Sequence, residues 1–170
     1  MSVAAAAPAA GEREQLLVKC WMSHDARWFN AVAREFGMEA ANRVNQAAVR
    51  DAARAEAQRV GRALGVPPPK DAGGCVRAQQ ALIGLLGPDL LEYDAQVDGT
   101  DSYSIHVKRC FAHENVEKAG IALQYDCGIF ARIEGWLEGM GFGHEVEPPL
   151  KGCLKAQGKE CVHTIRVRAG

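Results

Sequence analysis

From Glu12 to Phe36 apolar residues recur at three- and four-residue steps, through Leu16, Leu17, Cys20, Trp21, Trp28, Phe29, Val32 and Phe36. That period predicts helix. Ser23-His24-Asp25 cuts across it with residues that favour caps and turns, so two short helices or one kinked helix are expected, ended by Gly37. Met38 to Leu64 predicts a second, longer helix, stopped by Gly65 and Pro67-Pro68-Pro69. Its stripe of small residues (Ala41, Val44, Ala48, Ala52) suits close helix packing or a dimer seam. Cys75 to Leu86 predicts a third helix, closed by Gly87-Pro88.

The period then changes to two. Leu91, Tyr93, Ala95 and Val97 alternate with Glu92, Asp94 and Gln96, and Tyr103, Ile105 and Val107 alternate with Ser104, His106 and Lys108. With Asp98-Gly99-Thr100-Asp101 between them, these read as a hairpin. Phe111–Leu123 and Gly128–Met140 predict two more helices, and Gly141, Gly143 and Pro148-Pro149 mark the exit as loop. A last strand over Cys161–Val167 puts Cys161, His163, Ile165 and Val167 on one face. The expected class is α+β: N-terminal helices packed on a small antiparallel sheet with interleaved helices. The expected organisation is a disordered tail over 1–11, a helical part over 12–66 and an α+β ligand-binding-type domain over 74–170. No internal repeat is visible.

Composition narrows the function classes. The 170 residues are 48% apolar, enough for one domain with a core, and the net charge of −1 gives no reason to expect nucleic acid. No run of apolar residues is long enough to span a membrane. MSVAAAAPAAG lacks the basic start and Leu-rich middle of a secretory signal, so a cytoplasmic protein is expected. Six cysteines in such a chain favour metal binding or catalysis over disulfides.

Four of them, Cys110, Cys127, Cys153 and Cys161, fall among the predicted strand ends and helix starts. Only the last two form a local Cys-x7-Cys pair. Folding could bring the four sulfurs to one rim of the sheet around a tetrahedral zinc ion. A helix start also favours the thiolate at Cys127. The bland alternative is that all four are small buried hydrophobes, the reading preferred for Cys20 and Cys75; redox or disulfide chemistry is the third.

Tyr125-Asp126-Cys127-Gly128, followed by Cys153 in KGCLKAQGKEC, resembles the vinyl reductase-like ligand-binding domain, known from bacterial sensors of aromatic compounds and from tetrapyrrole biosynthesis. The resemblance covers Cys127 to Val167. It implies Cys127, Cys153 and Cys161 as zinc ligands and an acid three residues before the second cysteine as the fourth. That position is Leu150 here, so Cys110 is the expected replacement, with Glu147 and His163 as alternatives. More broadly, KCWMSHDARWFNAVAREFG and KAGIALQYDCGIFARIEGWLEG are similar to a bacterial family associated with aminothiazoline-carboxylate hydrolase-like proteins, which implies hydrolysis.

Outside the cysteines, His24 stands beside Asp25 and between Trp21 and Trp28, as a general base, a ligand-orienting donor or a member of a plain helix cap. His106 lies on the polar face of its strand and lines a cavity only if helices cover that face. Trp136, Phe130 and Ile133 at helical spacing read as core. His113 and His144 read as exposed, Asn42, Asn45 and Gln46 as a polar helix stripe, and Arg50–Arg62 as a solvated face. Phosphate-loop, nucleophile-elbow and HExxH motifs are missing.

The leading expectation is a small-molecule (aromatic or heterocyclic) binding protein with a structural zinc at Cys110, Cys127, Cys153 and Cys161 and a pocket near Trp21, His24, Trp28 and His106. The second is a metal-dependent hydrolase of a small cyclic C–N or C–S compound, with His24 or Glu147 moving the proton. The third is a homodimeric interaction module.

Overall fold

The computed structural model describes residues 8–65, 67–87 and 89–169. Of the expected tail, residues 1–7 lie outside that range, as does Pro88 after the third helix. Helix α1 begins at Ala10, inside the expected tail, and continues unbroken to Phe36. The expected break at Ser23-His24-Asp25 does not occur. These polar side chains lie along the helix flank, where Arg27 donates to the Ser23 hydroxyl and carbonyl. They compete with helix only where a turn must be made, and none is made here.

Helix α2 spans Met38–Leu64 and α3 spans Ala72–Leu86. The third helix starts three residues earlier than its apolar pattern, because the Asp71 side chain caps it by accepting from Gly74 N–H at 2.7 Å. Strands β1 (Leu91–Val97) and β2 (Ser102–Cys110) form the expected hairpin. Helix α4 (Phe111–Lys118) is shorter than expected. Gly120, at φ 70°, supplies the left-handed residue of a helix stop, and Ile121 N–H reaches back to Val116 O at 3.0 Å. A short 3₁₀ turn, Ala122–Gln124, leads into α5 (Gly128–Gly139).

What was expected as loop after α5 is strand β3, Phe142–Glu147, and the chain ends on β4, Cys161–Ala169. The four strands form one antiparallel sheet in the order β1-β2-β4-β3. Tyr103, Ile105, Val107, His163, Ile165 and Val167 face inward, while the alternate positions face out.

Helices α2, α3 and α5 cover the inner face and share one core with it, including Ala53, Val60, Cys75, Leu82, Trp136 and Leu137. The helical N-terminal part is thus built into the same core as the sheet. The tightest contact is between α2 and α5. A Cβ on Gly135 would sit 2.3 Å from Arg50 O, and one on Gly139 would sit 2.7 Å from Arg54 O. Glycine is what lets the two backbones meet.

The face of α2 that packs is Ala41, Asn42, Ala53, Ala57 and Val60, not the expected stripe. Ala41 belongs to both, but Val44, Ala48 and Ala52 remain exposed. Arg50 and Arg54, expected as part of a solvated face, bridge instead to Glu134 and Glu138 on α5. No helix among the described residues is long and apolar enough to cross a membrane.

Candidate functional site: an apolar cavity beside a four-thiol cluster

Two neighbouring spaces carry the candidate chemistry. The first is a cavity of about 210 Å³ between α1, α2, α4 and α5. Its apolar wall includes Met22, Phe29, Val49, Val116, Ile133 and Trp136. Tyr125 closes one side, edge-on to Phe29 with ring centroids 5.7 Å apart. Its hydroxyl accepts from Gly128 N–H at 3.2 Å.

The polar groups at this cavity are Asp25, Asn30, Asn45, Asn115 and Arg132. Arg132 is only 13% exposed and lies 3.2 Å from the Glu56 carboxylate. Its guanidinium stacks on Trp21, 4.9 Å from the ring centroid. Burial pulls the Arg132 pKa down, opposed by the charges of Glu56 and Asp25.

Of the residues expected at the pocket, Trp21 supports its wall from behind, through Arg132. His24 is 75% exposed, its Nδ1 3.7 Å from Asp25, and Trp28 is exposed. The reason is geometric. Successive residues on a helix point about 100° apart, so packing Phe29 inward turns Trp28 outward. His106 is on the outer face of the sheet, half-buried opposite Asp94 and Val162, and does not border the cavity. The polar stripe Asn42, Asn45 and Gln46 is turned inward. Asn45 borders the cavity, and the other two bind loop backbone.

The second space is a void of about 20 Å³ whose lining contains Cys110, Cys127, Cys153 and Cys161 together with His113 and His163. Cys110 ends β2 immediately before α4, Cys127 immediately precedes α5, and Cys161 opens β4 opposite Val107 of β2. Cys153 comes from the loop before the Lys155–Gln157 turn, and its sulfur lies 3.6 Å from His113 Nδ1. His113 was expected to be exposed but is half-buried here. His163 bonds Pro148 O at 3.1 Å through Nδ1 and packs on Phe130 with ring centroids 3.9 Å apart.

Burial pushes the Cys127 thiol up to about 12, outweighing the N–H groups of Phe130 and Ile129 that pull it down. The helix-start advantage expected for a thiolate there is therefore overridden. Cys161 is pushed up to about 11 and Cys110 is also raised, again mainly by burial. Thiols in this state are poor free nucleophiles, and a bound cation would have to displace their protons.

Among the described residues, no group of three or more His, Cys, Asp and Glu side chains stands as a ready metal site. The four sulfurs thus line one void without being closed into a coordination shell. The donor chemistry fits a soft divalent cation such as zinc, and the void is about what one water-sized occupant needs. Leu150 packs against the core and Glu147 is exposed, so neither borders the void. Cys110 does border it. Of the remaining cysteines, Cys75 is buried as expected, whereas Cys20 is exposed on the outer side of α1.

The spaces share walls. Phe111 and Ala112 border the cavity while Cys110 and His113 border the thiols, and Ile129 borders both. No curated protein matches the chain. A family model, that of a family of unknown function (DUF6125), matches residues 14–151, a stretch that includes Cys110 and Cys127 and stops short of Cys153 and Cys161. The match covers most of the chain, which therefore belongs to this family.

Proposed function

We propose that this is a cytoplasmic small-molecule binding protein whose ligand enters the apolar cavity and whose four thiols hold a structural zinc. The observation that carries the reading is the cavity itself. A space of about 210 Å³ walled by Phe29, Ile133 and Trp136 has the chemistry of a site for a compact ring compound. An engineered apolar cavity of roughly 150 Å³ is known to take benzene, so the size suits a single ring with small substituents. Asn30, Asn45, Asn115 and Arg132 offer the few polar contacts that orient such a ligand.

Zinc would be held by Cys110, Cys127, Cys153 and Cys161. It would tie the ends of β2 and β4 to the start of α5 and contribute folding energy. The resemblance to the vinyl reductase-like domain supports the same ligand set at three of the four positions.

Two measurements test the proposal. Elemental analysis of the purified chain is expected to give about one zinc per protein, lost in Cys153→Ala. Titration with single-ring aromatic compounds, followed through Trp136 fluorescence, is expected to saturate in the wild type. It should fail in Ala112→Phe, which fills the cavity. A folded, metal-free wild type defeats the zinc reading, and equal ring binding by Ala112→Phe defeats the cavity reading.

The hydrolase reading rests on one observation, His113 beside Cys153 at 3.6 Å. Neither His24 nor Glu147 borders the thiols, so His113 would be the proton carrier. That reading requires three protein ligands plus water on the metal, where a brace has four.

A further inference from the structure

Two of the four thiols are placed by the sheet. Cys110 and Cys161 sit on the paired strands β2 and β4, whose register is set by main-chain bonds. Cys127 and Cys153 come from segments outside any ladder, and something else must hold them in place.

Asp126 immediately precedes Cys127, and its Oδ1 accepts from Gly152 N–H at 2.9 Å, immediately before Cys153. The N–H of the same Asp126 donates to Asn42 Oδ1 at 3.1 Å. Asn42 is 6% exposed and uses its other end to donate to Gln124 O at 2.7 Å. Gln46, one turn along α2, points its amide at Cys127 O at 3.4 Å.

We infer that Asp126 is a positioning residue for the metal centre: one side chain clasps the Cys153 loop to the Cys127 segment, and Asn42 anchors that clasp to α2. Asp126 does not border the thiol void and is not a ligand. It acts through the loops that carry two of the sulfurs. This inference rests on the reading of the four thiols as a zinc site. Partners just outside a coordination shell commonly control metal affinity by about 10- to 100-fold, and two loop ligands tied to each other lose less freedom on binding.

The test uses the full chain and the metals themselves, Co²⁺ and Zn²⁺. In Asp126→Ala, zinc affinity measured by chelator competition should fall by about 10- to 100-fold. Sulfur-to-cobalt charge-transfer absorption should fall toward that of a site with fewer thiolates, while the metal-free thermal midpoint moves little. Asp126→Asn keeps an oxygen that can accept from Gly152 and should restore both affinity and absorption. If the alanine variant folds poorly, Asp126→Ser, whose hydroxyl stops short of Gly152, should show the same metal defect. Unchanged zinc affinity in the alanine and serine variants overturns the clasp alone. So does an asparagine variant as weak as the alanine one. A wild-type chain that takes up neither metal overturns the zinc reading, and the clasp with it.

Discussion

Trp136 donates its indole N–H to one oxygen of Glu56 at 2.9 Å, and the other oxygen of that carboxylate lies 3.2 Å from Arg132. One acid on α2 thus satisfies two large side chains on α5 that both face the cavity. Glu56→Ala would leave the Arg132 charge without its partner and the indole N–H without an acceptor. The expected loss is roughly 3 kcal/mol, the low end for a broken buried pair. Glu56→Gln keeps an acceptor for Trp136 and should lose less. Urea denaturation of the three proteins checks the order, and equal stability of Glu56→Ala and wild type would refute it.

The glycines of α5 make a sharper prediction. A methyl group at Gly135 would meet Arg50 O at 2.3 Å, and main chain cannot rotate away. Gly135→Ala should cost about 1–3 kcal/mol through forced separation of the helices. Gly61, inside α2, has nothing within 4 Å of such a methyl. Gly61→Ala should gain about 0.5–1 kcal/mol from helix propensity. Thermal midpoints moving in opposite directions would bear this out, and a neutral Gly135→Ala would contradict it.

His144 sets a pH dependence. Its ring was expected in solvent, but the side chain is only 12% exposed, with Nε2 3.4 Å from Glu134. Among the described residues its Nδ1 has no partner. Burial lowers its pKa from 6.5, with Glu138 opposing and Arg50 reinforcing. The folded chain then binds a proton less readily than the unfolded one. Stability should be full above pH 6.5 and decline as pH falls through that value toward the lowered one. His163, also lowered mainly by burial, adds a slope of the same sign. Melting from pH 7.5 down to about 5 should show the decline, and His144→Gln should reduce the slope without abolishing it.

Thiol reactivity separates the six cysteines. In metal-free protein Cys20 is exposed and should react first with a thiol reagent, while burial keeps Cys75, Cys127 and Cys161 protonated and slow. Cys20→Ser should remove the fast phase. Added zinc should then slow Cys110, Cys127, Cys153 and Cys161 further, but not Cys75. Mass-resolved labelling reads each site.

Much of the fold was legible because its longest elements are uninterrupted. The bounds of α2 follow from its stops at Gly37 and Gly65, the β1–β2 hairpin from its alternation and the Asp98-Gly99 turn, and the inward face of β4 from its alternation. Strand β3 was hidden because Gly141, Gly143 and Pro148-Pro149 look like loop, although Phe142, His144 and Val146 alternate across it. The thiols were found by their number and type. The pocket was not, since the side chains richest in chemistry, His24, Trp28 and His106, do not line it. His24 and Trp28 lie one face away from Phe29, and only tertiary packing decides which face of α1 turns in. Asn42 and Asp126 were out of reach for another reason: their bond joins positions 84 apart, and no local pattern reports it.

Main chain pressed against main chain at Gly135 and Gly139 makes α2 and α5 a fixed spine with nothing left to slide. The opposite side of the hollow is lined by α1 and the short α4, which no such glycine contact joins among the described residues and which are the elements a guest would displace if the proposed function holds. On the proposed function, cross-linking α1 to α4 should slow ligand entry.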